Sequence, residues 1–379
     1  MWAAGAINTL AVERAVVTVT ELTRELVSIP SYEDETEAGD FIEEWLEREV
    51  GGDATIIRDE AGNVIARKGD PAAETLALVG HHDVVEPATP QVRQEDDGEY
   101  VVEERDGRLY GRGTADMKGA VAAAMLAFRD AEPAGELAVA SFVGEEVGGV
   151  GARHAIDEGF APEYAVVGEG STGYSSPGVT DVAVAHKGRR GSTITARGVA
   201  AHASEAEAGE NAIYWATEAV SLVRDLEPPA VEVADETLEG SVVVTEIDGG
   251  TAMNVVPDCC EVTVDERTVP GERAPLERVE ELEGVEWTVD QDLPPMECTD
   301  EAFAETVFEA VDAAQPVAPE LVTKPHATDA GWLAAAGTAC VVCGPAEPGE
   351  AHTETESVSI DVLERCRAIY RQVAESWLA

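Results

Sequence analysis

Two histidines and several acids stand where metal-assisted hydrolysis could be built. Gly80-His81-His82-Asp83 follows the apolar run 75–79, Gly144-Glu145-Glu146 follows 137–143, and Gly168-Glu169 follows 164–167. His352 lies in the loop after the run 339–343, and Asp116 closes the glycine-rich stretch 111–116. In open α/β sheets, ligands gather outside the carboxyl ends of the strands, so these groups could share one site. Singly they are weak signals, since a carboxylate after a strand is an ordinary cap or loop residue, and a lone histidine such as His154 reads as structural. Together, imidazole and carboxylate without thiolate suit zinc, manganese or cobalt. They suit a two-metal hydrolytic centre better than a structural zinc.

The elements that must position them read from periodicity. The four apolar runs are short, bounded by turn residues and not alternating, the pattern of strands buried on both faces of an α/β sheet. Helices are expected over 20–29, stopped at Pro30, over 37–50, with Phe41, Trp45 and Leu46 at helical spacing, and over the alanine-rich 119–130. Beyond Val167 the texture changes. The stretch 174–178 reads as a linker, and 192–197, 241–247 and 260–267 alternate like antiparallel strands. An amphipathic helix is expected over 211–225 and a second over 275–282, before Leu293-Pro294-Pro295 marks a return. That order suggests a small α+β domain inserted into a larger α/β one.

A chain of 379 residues has length for about two domains. Its 25 basic and 76 acidic residues give a formal net charge of −51, although charged residues make up an ordinary 27%. The skew is in sign, not number, and 44% hydrophobic residues suffice for a core. Such acidity argues against nucleic acid and anionic membranes as partners, both being polyanions. Lysine occurs only at 68, 118, 187 and 324, and the acids are spread along the whole chain. Adaptation to molar salt is expected, where the Debye length falls to about 3 Å and self-repulsion is screened. The six cysteines need form no disulfide scaffold. Residues 1–10 lack a basic n-region and a long apolar h-region, and no apolar run approaches a membrane span. The expected location is a cytoplasm of high salt.

The strings GHHDVV (80–85), YGRGTADMKG (110–119), GEEVGGVGA (144–152) and VGEGST (167–172) resemble the di-zinc peptidases that include acetylornithine deacetylase and succinyl-diaminopimelate desuccinylase. Glutamate carboxypeptidase and the aminoacylases belong to the same family. HKGRRG (186–191), ARGVAAHAS (196–204), GTAMNVVPD (250–258), VDERTVPGE (264–272), ATDAGWL (327–333) and AHTETESV (351–358) follow in the family's order. The resemblance runs from about Leu26 to the C-terminus. It implies an α/β fold: a mixed-sheet catalytic domain with helices on both faces (1–185 and 296–379), plus an inserted α+β lid or dimerisation domain (186–295). The insert would have a four-stranded antiparallel sheet with two helices.

The resemblance also implies roles. His81, Asp116 and Glu169 would hold one metal and Asp116, Glu146 and His352 the other, with two zinc ions per subunit, or cobalt or manganese in their place. Asp83 would orient His81, and Glu145 would be the general base, taking a proton from water and returning it to the leaving amine. His202 resembles the lid histidine that hydrogen-bonds the oxyanion, reaching the site from the other subunit in dimeric members. Asn254 and Arg267 resemble residues that hold the substrate, and a homodimer through the lid is expected. His82 reads as a neighbour, and Asp329 and Glu356 as residues that order loops. Departures fall on the substrate-side wall: the displaced Pro87, the stretch 88–100 without its Trp and Pro-Phe, Gly170-Ser171 for Pro, and His326 for a small residue.

The implied reaction is hydrolysis of a linear amide in a small N-acyl amino acid, with removal of an acyl group from ornithine, lysine or diaminopimelate favoured. Cleavage of a dipeptide or a C-terminal residue is the alternative, and Glu145 speaks against a non-catalytic descendant. Two other readings compete. Residues 168–173 fit G-x-G-x-x-G after a strand, but Pro177 and Gly178 stand where a helix would have to open. Cys340 and Cys343 fall in a buried run, where small apolar residues belong. In so acidic a chain, Arg267 and HKGRRG are the places to expect an anionic substrate.

Overall fold

The non-alternating apolar runs become neighbouring strands of a nine-stranded mixed sheet. The structure, a computed structural model, describes residues 17–93 and 99–377; the stretch 1–10 and residues 94–98 of the 88–100 segment lie outside these. Strands Glu136–Phe142, Thr75–His81, Tyr164–Val167 and Ala339–Val342 lie side by side in that order, all parallel. Val182–His186 follows, so that Ala339–Val342 sits between two strands that precede it in the chain. The lack of alternation has a direct cause. Leu76 and Leu78 face one core with Leu126, Phe128 and Ile369, while Ala77 and Val79 face another with Ala152 and Leu333.

Helices cover both faces. Val19–Ser28 starts with a capping box: Glu21 N–H donates to Thr18 Oγ1 at 3.2 Å, and Thr18 N–H donates to the Glu21 carboxylate at 2.9 Å. Thr36–Glu49 buries Trp45 and Leu46, and Lys118–Asp130 packs against Val19–Ser28 and Ile360–Ser376. Val150–Asp157 and Asp329–Ala335 lie on the other face. Among the described residues, no helix is long and apolar enough to cross a membrane.

A second sheet, Ser241–Gly249, Cys259–Thr268, Gly188–Arg197 and Val285–Leu293 in spatial order, is antiparallel throughout. One face packs on helix Ala212–Arg224 through Ile194, Ala196, Val262, Val264 and Ala216, which is why these strands alternate in sequence. The architecture is thus the expected mixed α/β sheet with a smaller α+β unit.

Two local expectations are corrected. The stretch 174–178 is not a linker between units: Ser175 is tied to Asp181 through its amide (2.9 Å) and hydroxyl (2.7 Å), and the chain returns to the large sheet at Val182–His186. The second helix is only a 3₁₀ turn, Leu276–Glu281, whose buried Leu276 and Val279 have the three-residue spacing such a turn stacks on one side. The hairpin Ala230–Val233/Glu236–Glu239, inside the 186–295 segment, buries Val233 and Leu238 in the core that holds Phe303 and Val307.

Candidate metal centre

Parallel strands with a common direction bring their carboxyl ends to one edge, and the candidate ligands meet there. His81 ends strand Thr75–His81 and is 1% exposed. Its Nδ1 lies 3.1 Å from the Asp83 carbonyl oxygen and 3.3 Å from Asp83 Oδ1. A carbonyl oxygen can only accept, so Nδ1 carries a proton and Nε2 is left to face the cluster. That Nε2 faces Asp116 Oδ1 at 3.1 Å and Glu169 Oε1 at 3.4 Å. The other oxygen of Asp116 is 3.0 Å from His352 Nε2, which also lies 2.9 Å from Glu146 Oε1. Asp116 therefore stands between two imidazoles, with Glu169 beyond one and Glu146 beyond the other.

The supporting loops explain how these groups are held. Gly144, at φ +60°, lets the chain turn sharply after strand Glu136–Phe142. The turn points two amides at Asp83, whose oxygens accept from Glu145 N–H (3.2 Å) and Glu146 N–H (3.0 Å). Asp83 thus fixes both His81 and the Glu145–Glu146 loop. Glu356, fully buried, orders the Asp116 loop as expected. Its Oε1 accepts from the amides of Gly113, Ala115 and Asp116 at 2.9, 3.0 and 3.2 Å, and its Oε2 accepts from Arg112. His352 adopts φ +65°, an uncommon conformation for a side chain of its size. His82 is a buried neighbour, its Nδ1 2.8 Å from Ser141 Oγ.

Charge is distributed unevenly over this cluster. Burial, reinforced by Asp329, Glu169 and Asp116 against the pull of His81, pushes the Glu145 carboxyl well above the usual carboxylate range. Burial also raises Glu146. Asp116 shifts the other way: burial opposes its charge, but the hydrogen bonds to His352 and His81 hold it below its ordinary value. The same contacts with Asp116 and Glu146 lift His352 to about 10. The ligand atoms of His81, Asp116 and Glu146 lie within 4.8 Å of one another, as do those of His81, Glu145 and Glu169. So many carboxylates in one buried space repel each other unless a cation lies among them, and their oxygen and imidazole donors suit a divalent ion.

Lys324, which no motif singled out, completes this ring. Its Nζ donates to Glu169 Oε2 at 3.0 Å. Burial opposes both charges, yet each holds the other ionised, with Glu169 lowered and Lys324 raised. The one sequence signal was rarity, since the chain has four lysines.

Other expected residues lie apart. His202 is exposed, its Nδ1 2.7 Å from Ser204 Oγ, and the Asn254 carbonyl accepts from Ala203 N–H at 2.9 Å. Neither makes a hydrogen bond to the acids of the cluster among the described residues. Arg267 Nε donates to Asp265 at 2.8 Å. Its charge joins burial and Lys324 in lowering the His326 pKa. The HKGRRG run is not a free cationic patch: Arg189 pairs with Asp265 at 2.8 Å, and Arg190 is buried against Glu266. Asp329 orders no loop through its carboxylate. Neither oxygen has a hydrogen-bond partner among the described residues, and burial raises the group to about 7. No helix opens after residues 168–173, where Thr172 instead bridges to Thr180. Cys340 and Cys343 are fully buried free thiols.

Comparison with known proteins bears on the whole chain. Residues 77–376 match Peptidase family M20/M25/M40. An acetylornithine deacetylase from Myxococcus xanthus is 33% identical over 341 residues, covering 82% of this chain and 84% of that protein. A succinyl-diaminopimelate desuccinylase from Bordetella petrii is 28% identical over 385 residues, covering 95% and 98%. Among solved structures, aminopeptidase PepT from Bacillus cereus superposes with a TM-score of 0.75 at 20% identity, covering 94% of this chain and 96% of that one. The M20 family metallo-carboxypeptidase Sso-CP2 from Sulfolobus solfataricus gives 0.72 at 14%, covering 94% and 98%. At these identities the solved structures speak for the fold alone.

Proposed function

We propose, from the premise that the chain belongs to Peptidase family M20/M25/M40 and is a metal-dependent hydrolase of carbon–nitrogen bonds, that it removes the acyl group of a small N-acyl amino acid at a two-metal centre. The observation that carries this reading is Asp116, with one oxygen toward His81 and the other toward His352. In this reading His81, Asp116 and Glu169 hold one ion and Asp116, Glu146 and His352 the other, with zinc as the native metal or cobalt or manganese in its place. Bound there, the ions supply Lewis acidity to the scissile carbonyl and acidify the attacking water.

The chain's own residues do the rest. Glu145, its carboxyl raised by burial, takes a proton from the attacking water and passes it to the leaving amine. Asp83 keeps the His81 proton on Nδ1. His202 donates to the oxyanion, while Asn254 and Arg267 hold the substrate, the guanidinium gripping a carboxylate. The 186–295 segment acts as the lid and as the interface of a homodimer, except for its hairpin at 230–239. The enzyme works in a salt-rich cytoplasm, and its acidity keeps it off nucleic acids and membranes.

Dipeptidase or carboxypeptidase action is the second reading, favoured by a probable carboxypeptidase of Aspergillus clavatus, 30% identical over 264 residues. A panel of acetyl- and succinyl-amino acids and dipeptides, assayed in molar KCl with zinc, cobalt or manganese, separates the two. Faster turnover of acyl amino acids is expected, lost in Glu145→Gln. A panel inert throughout overturns both readings.

A further inference from the structure

The two oxygens of Glu169 face different partners. Oε1 lies 3.4 Å from His81 Nε2, while Oε2 accepts from Lys324 Nζ at 3.0 Å. Lys324 is 6% exposed, and its backbone is fixed. Strand Leu321–Lys324 runs parallel to Val182–His186, and Lys187 N–H donates to the Lys324 carbonyl at 3.0 Å. An ammonium buried on so rigid a base keeps its partner, because separation would leave either ion uncompensated.

We propose that Lys324 is a positioning residue of the metal centre: it occupies Glu169 Oε2 and leaves Oε1, on the His81 side, as the single atom Glu169 offers to a metal. The proposal rests on the two-metal reading above. It has two consequences. A carboxylate that offers one oxygen leaves more of the ion's coordination shell for substrate than one that chelates. Carboxylate partners raise the basicity of the ligand they touch, and an ammonium does the reverse. Lys324 therefore weakens the hold of Glu169 on its ion and leaves that ion a stronger Lewis acid.

The test uses metal-free full-length protein in molar KCl, titrated with cobalt(II). Calorimetry reads affinity and stoichiometry, and the visible absorption band reads coordination number. Lys324→Met should tighten one of two cobalt sites by about tenfold or more, since it removes a charge-assisted contact from the ligand. Its visible band should weaken as the second oxygen joins and the coordination number rises. Lys324→Arg should restore the wild-type isotherm and spectrum. Should Lys324→Met fail to fold by circular dichroism, Lys324→Gln keeps a polar end in the slot and should shift both readouts the same way. Isotherms and spectra that superpose on those of a wild type binding two cobalt ions overturn the positioning role and leave the two-metal reading standing. A wild type that binds no cobalt overturns both.

Discussion

Glu356 holds Asp116 by the backbone: its Oε1 accepts the Asp116 amide at 3.2 Å while its Oε2 takes the buried Arg112 guanidinium. The residue at the centre of the acid cluster is thus fixed by a carboxylate 240 positions away. Glu356→Gln keeps an acceptor for the amides but leaves the Arg112 charge buried without a counter-ion. A loss of about 3–5 kcal/mol in unfolding free energy is expected, read by denaturant titration at fixed KCl. Metal affinity should fall roughly 10- to 100-fold with it. Unchanged stability and affinity would show that the Asp116 loop holds itself.

Glu145 makes no hydrogen bond through its carboxylate to the other cluster residues among those described. In the two-metal reading it is not among the ligands, so its removal should spare metal binding while ending proton transfer. Glu145→Gln is expected to bind the same number of ions with kcat lowered by roughly 10²- to 10⁴-fold. A variant that keeps most of its activity excludes Glu145 as the base.

His186 predicts acid sensitivity. It is buried, its Nδ1 3.0 Å from the Lys187 carbonyl and its Nε2 3.1 Å from Thr328 Oγ1, and burial lowers its pKa to about 4. Between about pH 6.5 and that value the unfolded chain binds a proton that the folded chain does not. Stability is therefore complete above about pH 6.5 and lost as pH falls, by about 1.4 kcal/mol per pH unit from this group. Denaturant midpoints across pH 4 to 7 should show a shallower acid slope in His186→Gln than in the wild type. Parallel slopes would assign the acid sensitivity elsewhere.

A chain carrying −51 resists its own compaction in dilute buffer. Its thermal midpoint should rise between dilute buffer and molar KCl, as screening shortens to about 3 Å. Equal midpoints in the two solutions would remove the case for adaptation to salt.

How much was legible beforehand follows from burial. Strands such as Thr75–His81, covered on both sides, and Cys259–Thr268, covered on one, carry periodicities that a sequence displays. Four buried strands end in a His or an acid or run into a loop that supplies one, so His81, Glu146, Glu169 and His352 could be picked out as candidates from strand ends, with Asp116 picked out from its glycine-rich loop. Val285–Leu293 was missed although Val285, Trp287 and Val289 alternate with polar residues: it is an edge strand, mostly exposed, and Asp290-Gln291-Asp292 interrupts the pattern where the register shifts. Lys324 was missed for another reason. Its importance lies in the 3.0 Å contact with Glu169, 155 positions away, which no local pattern encodes. The hairpin at 230–239 likewise betrays nothing of which core it joins.

The place of Ala339–Val342 in the large sheet sets a condition on how the chain is made. That strand lies between Tyr164–Val167 and Val182–His186, both synthesised far earlier. A nascent chain that stops short of it has a gap in the middle of its sheet, four acids of the cluster already made, and no His352. Pairings this distant in sequence are slow to form, and the exposed strand edges on either side of the gap invite wrong partners. The large sheet and the acid cluster therefore close together, once residues 339–352 have been made.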